Sequence, residues 1–150
     1  MARVRAAIDD LFREDADFTG LFVVDLKIRG HSGSRVIEVY VDGDQPVPIE
    51  QITLVSRRFG SRLEDAGVID GVARLEVSSP GASRPLVELR QYPKHTGKVV
   101  TIKRGAPGET VAISGILRAV TADALELEVD GAREIIPFNE IVEGKVALPW

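Results

Sequence analysis

Between Ala2 and Asp15, Val4, Ile8, Leu11 and Phe12 recur at helical spacing, with acids and arginines between them. This predicts a first amphipathic helix. After Gly20 the period changes to two. In "LFVVDLKIR", Phe22, Val24, Leu26 and Ile28 are expected on one strand face and Asp25, Lys27 and Arg29 on the other. In "RVIEVYVD", Ile37, Val39 and Val41 stand opposite Glu38, Tyr40 and Asp42, and the loop "GHSGS" makes the two runs a hairpin. The segment "PVPIEQITLVSRRFGSRLEDAG" puts Pro48 near a first helical turn and Glu50 close to the positive helix end, and it stops at Gly67. Its apolar stripe is Ile49, Ile52, Val55, Phe59 and Leu63. "ARLEVSS" adds a third strand with Leu75 and Val77 inward. The order helix, strand, strand, helix, strand predicts an N-terminal α/β domain in which two helices cover one face of a three-stranded sheet, leaving the other face polar.

From Gly97 onward the pattern is short strands between Gly-rich turns: "KVVTI", "ETVAISGILRAV", "ALELEV", "REIIP" and "GKVALP". Asp130-Gly131 is a tight-hairpin signal. Five such strands predict a small β-barrel, because closing the sheet protects its edges. The overall class is α+β, with an N-terminal α/β domain over residues 1–88, a linker over 89–96 and a C-terminal barrel over 97–150.

At 150 residues the chain can bury roughly two thirds of its unfolded surface. It has no cysteine, which removes disulfides, thiolate metal sites and a cysteine nucleophile and agrees with a reducing cytosol. No run approaches the roughly 18 apolar residues needed to cross a membrane, so a soluble, cytoplasmic protein without membrane contact is expected. The formal net charge is -4, and all of the excess acid lies in the first 88 residues. That sign does not suit a protein living by phosphate neutralisation alone. It fits a basic partner, and equally an ordinary cytosolic composition.

The stretch "RLEVSSPGASRPL" is a candidate nucleophile, phosphate cradle or turn. A serine nucleophile needs a base within reach, but the two histidines, His31 and His95, fall in loops, and no G-x-S-x-G surrounds Ser78, Ser79 or Ser83. A phosphate cradle needs a Gly-rich loop opening a helix. "SSPGASRP" has one glycine, and "KRGAPGET" leads into a strand. "GHSG" matches the G-x-x-G loop of KH domains literally, yet it joins two strands where that loop joins two helices. No H-E-x-x-H or calcium-loop ladder is present, so no metal or cofactor is expected. The turn remains: Pro80 biases Ser79 to extended geometry, Pro80-Gly81 suits the centre of a type II turn, and Pro85 holds Arg84 extended.

"LEVSSPG" followed by "RPL" resembles the signature of the ribosome maturation factor RimP family. "VVDLKI" (23–28), "VYVD" (39–42), "SRRF" (56–59), "GKVVTI" (97–102) and "IPFNEI" (136–141) fall in the family's order and at similar spacing. The resemblance implies an α/β domain followed by an SH3-like or Sm-like barrel. It also implies a non-enzymatic assembly factor that binds the immature small ribosomal subunit and helps incorporate small-subunit ribosomal protein twelve.

Within that picture two surfaces are candidates for partner binding. Glu126, Glu128 and Asp130, with Glu134 on the next strand, form an outward acidic stripe that either receives a basic ribosomal protein or is a solvated face. Arg57, Arg58 and Arg62 form a basic ridge that either touches ribosomal RNA phosphates, alongside Lys27, Arg29 or Arg84, or makes ordinary salt bridges. In the motif turn, Ser78, Ser79, Pro80, Gly81, Arg84 and Pro85 are structural or contact residues, with Arg84 tying the turn to carbonyls or to a carboxylate such as Glu76. The alternative reading is a stand-alone RNA-binding module with an Sm-like barrel, which the low aromatic content (5%) and the neutral barrel disfavour. No assembly seam is evident, and a monomer is expected.

Overall fold

The computed structural model describes residues 2–31, 34–67, 72–80, 84–106 and 108–147. The chain divides into two compact units, Met1–Pro80 and Gly81–Trp150.

The first unit runs α1 (Ala2–Glu14), a 3-10 turn (Ala16–Phe18), β1 (Leu21–Arg29), β2 (Arg35–Gly43), α2 (Ile49–Asp65) and β3 (Val72–Ser78). The sheet order is β1-β2-β3, with β2 antiparallel to β1 and parallel to β3. A parallel neighbour requires a crossover, and α2 is that crossover. Gly67 ends α2: it takes φ of +68°, and its N–H reaches the Glu64 carbonyl at 3.0 Å. One core joins Val4, Ile8 and Leu11 of α1, Ile52, Val55, Phe59 and Leu63 of α2, and the strand residues Val23, Ile37, Val39 and Val41.

Two expectations for this unit are corrected. Val23 faces Val41 and Asp25 faces Tyr40, so Val24 is the extra residue of a β-bulge. A bulge inverts the alternation beyond it. Leu21 and Val23 therefore face the helices before it, and Leu26 and Ile28 after it, whereas Phe22 and Val24 do not join that core. Ile49, expected on the buried stripe of α2, is 72% exposed, because it opens the helix beyond the end of the packed face.

The second unit contains β4 (Val99–Arg104), β5 (Val111–Val120), β6 (Ala124–Val129), β7 (Ala132–Pro137) and β8 (Ile141–Val146). They form an antiparallel sheet in the order β7-β6-β5-β4-β8. Asp130 and Gly131 take φ of +51° and +82°, as a type I′ turn between β6 and β7 demands. A 3-10 turn, Phe138–Glu140, carries the chain from one edge strand to the other. Among the described residues β7 and β8 are not paired, so the expected closure into a barrel is not made by a ladder.

The segment expected as a linker is part of this unit. Leu86 exchanges backbone hydrogen bonds with Gly144 (2.6 and 3.2 Å), and the 3-10 turns Leu89–Gln91 and Pro93–His95 follow. Tyr92 is fully buried in a core with Leu86, Val100, Ile102, Leu117, Leu125, Leu127 and Ile136. Gln91 is also fully buried, its Oε1 accepting from the N–H groups of Val87 (2.8 Å) and Glu88 (2.9 Å). The boundary thus falls between Pro80 and Gly81 and not after residue 88.

Candidate functional site

Successive helical residues point about 100° apart, so Arg57 and Arg58 cannot share one face. The structure separates the ridge accordingly. Arg58 turns toward the start of the chain, where its Nη1 donates to Asp15 Oδ2 (2.6 Å) and Asp17 Oδ2 (2.8 Å). Its guanidinium lies 5.3 Å from the centre of the buried Phe18 ring, a cation–π contact. The Asp17 N–H donates to Asp15 as well, and with Arg58 beside it this holds the Asp15 carboxyl below the usual carboxylate range. The same two carboxylates push the Arg58 guanidinium upward. One turn on, Arg62 donates to Glu14 at 2.6 Å. Arg58 and Arg62 therefore tether α2 to α1 and its following turn, the ordinary salt bridges that stood as one of the two readings of this ridge.

Arg57 is exposed and makes no ion pair among the described residues. It stands on the wall of an open groove of about 500 Å³ between α2 and β3, with Ile49, Ile52, Thr53, Ser56, Leu75, Glu76 and Val77. The sequence reading did not single out this groove. Its signal is the combination of an exposed Ile49 at a helix start and an alternating strand that ends up at a sheet edge.

On the face of the first sheet away from the helices, charges neutralise each other. Arg29 pairs with Glu38 (2.5 Å) and Glu76 (3.8 Å), Arg74 with Glu76 (2.8 Å), and Lys27 with Asp25 (3.7 Å). Of the motif turn, Ser78 and Ser79 are exposed, and Pro80, Arg84 and Pro85 are half-buried. Gly81, and with it the type II turn, lies outside the described residues, as do Ala82 and Ser83.

The acidic stripe is also divided. Glu126 faces Ile135 and Glu128 faces Arg133 across β6 and β7, whereas Glu134 faces the buried Leu127 and so lies on the opposite side of the sheet. Glu126 is paired with Arg133 (3.5 Å) and Glu128 with Arg118 (3.1 Å). What reaches solvent there is a mixed patch with Ile135, 64% exposed, beside the two ion pairs; Asp130 is exposed at the hairpin tip.

The sequence model of the RimP N-terminal domain matches residues 12–83. Along 148 residues the chain is 34% identical to the ribosome maturation factor RimP of Chlorobium chlorochromatii, an alignment covering 95% of this chain and 82% of that protein. The chain belongs to the ribosome maturation factor RimP family. The RimP of Pelodictyon phaeoclathratiforme is 30% identical over 141 residues, covering 89% of this chain and 79% of its own. The RimP N-terminal match ends within the motif turn and takes in Arg57, Arg58, Arg62 and the groove wall at Leu75–Val77, while the likeness to the Chlorobium protein, over 95% of the chain, reaches into the second sheet. Among the described residues no group of three potential metal ligands converges, and no helix is long and apolar enough to cross a membrane.

Proposed function

We propose that this chain acts without catalysis as an assembly factor of the small ribosomal subunit, binding the immature particle and assisting incorporation of small-subunit ribosomal protein twelve. The observation that carries the reading is the likeness to RimP proteins along 95% of the chain. The second unit is proposed as an SH3-like barrel: its last strand returns beside its first, the arrangement that rolls a short sheet around one core. Its patch at Glu126 and Glu128 is the proposed dock for the basic ribosomal protein. The arginines held by ion pairs, Arg58 and Arg62, are assigned to structure, which leaves Arg57 as the ridge residue available for ribosomal RNA or protein.

The test is sedimentation of cell lysate at physiological salt, with this protein followed by antibody. Comigration with immature small subunits and absence from translating ribosomes is the expected outcome. A protein that stays at the top of the gradient when assembly is stalled overturns the reading.

A further inference from the structure

The groove beside Arg57 borders a sheet edge. β3 pairs with β2 on one side only, and among the described residues no strand lies on its other side. Sheet edges are normally blunted by proline, lysine or a bulge. The register of β3 shifts between Val72 and Arg74, but none of these interrupts Arg74–Ser78, and the two charges in that stretch, Arg74 and Glu76, are spent on one another at 2.8 Å. Among the described residues, the outer backbone donors and acceptors of this stretch have no strand partner. Leu75 and Val77 pack toward the helices, and Ile49 and Ile52 of α2 stand across from them. Arg57, unpaired among the described residues, projects from the same wall.

We propose that this groove takes an extended segment of a partner protein as a fourth strand beside β3, with apolar side chains toward α2 flanking a carboxylate that pairs with Arg57. Main-chain hydrogen bonds along β3 would hold the strand, and alternate side chains would be read by the groove. The guanidinium, unneutralised among the described residues, selects an acid at the position facing it. Single-stranded RNA fits less well, since the lining offers one cation, a glutamate and no aromatic ring for stacking. A second copy of the chain fits less well too, because a strand with an arginine beside its own edge brings no acid to Arg57 on the helix side, where the strand residues are Leu75 and Val77. The partner is thus acidic at the contact, and distinct from the basic protein proposed for the second unit.

The experiment is a titration of the isotope-labelled full chain with a capped peptide, Val-Thr-Glu-Thr-Val-Thr, and with its Glu→Lys form, read by amide shifts and hydrogen exchange. Expected are shifts and slowed exchange at Leu75–Ser78 with the Glu peptide, affinity falling about ten-fold for Arg57→Glu, and recovery of that loss by the Lys peptide on the variant. Equal affinity of the wild type for both peptides, or no response at β3 at millimolar peptide, overturns the proposal. So does the same response to an oligouridine at lower concentration, or slowed exchange at β3 that rises with protein concentration alone. The sedimentation test separates the two readings. If the wild type comigrates with immature subunits but shows no peptide response, the groove proposal fails alone; if the wild type does not comigrate, the ribosomal reading fails whatever the peptide does.

Discussion

Gly144 lacks a side chain where the Tyr92 hydroxyl needs the room: a Cβ built there collides with the phenol, and Ile102 closes the site at 2.9 Å. Tyr92 stands under β8 as a buried prop, with Phe138 edge-on at 6.4 Å. Gly144→Ala is expected to destabilise the second unit by about 1–3 kcal/mol, the usual cost of overpacking a core. Hydrogen exchange across β4 and β8 measures it, and Tyr92→Phe in the same chain should recover part of the loss. A Gly144→Ala protein as stable as wild type would refute the packing.

Burial, and after it the charge of Glu143, pushes the Tyr92 phenol above its ordinary value. A raised folded pKa stabilises fully below the unfolded value of about 10 and is lost as pH rises through the folded one. Urea unfolding should therefore show stability falling from pH 9 to 11, and falling less in Tyr92→Phe. Identical slopes in the two proteins would count against a buried phenol.

Asp15 behaves in the opposite sense. Its folded pKa is lowered, so its contribution is present above the unfolded carboxylate value of about 3.9 and disappears as pH falls through the folded one. Asp15→Asn should unfold at lower urea than wild type at pH 7, and the gap should close toward pH 3. Arg58→Ala should reproduce the neutral-pH loss with a weaker pH dependence, since Asp17 still donates its N–H to Asp15.

The bulge at Val24 makes adjacent residues unequal. Val23→Lys places a charge in the first core and is expected to unfold that unit, at a cost of several kcal/mol. Phe22→Lys, on the far face opposite Asp42, should keep the fold within about 1–2 kcal/mol. Circular dichroism and thermal melts of the two variants decide it. The reverse ranking would mean that β1 runs without a bulge.

Reversing Glu126 and Glu128 to Lys tests the proposed dock. Both are partly exposed partners in surface pairs, so the stability change should be below about 1 kcal/mol. Binding of small-subunit ribosomal protein twelve, followed by calorimetry at low salt, should weaken. Unchanged affinity would eliminate the patch as the dock.

Local pattern and motif determined much of this protein. The spacing of Val4, Ile8 and Leu11 or of Val55, Phe59 and Leu63 is set by helix period alone, and Asp130-Gly131 by the φ values its turn requires. The motif run around "LEVSSPG" points to the RimP family by sequence alone, and the relatives agree. Tertiary structure decided what depends on partners distant in sequence. A bulge at Val24 is stabilised by the strand opposite, so alternation in β1 by itself put Phe22 on the wrong face. The arginines of α2 are separated by which carboxylates α1 and its following turn bring within 3 Å of them, and Glu134 by the register of β7 on β6. Tyr92 lies within a stretch that reads as a linker because its core is assembled from β4, β5, β6 and β7, and only the folded sheet places Gly144 of β8 there to receive it.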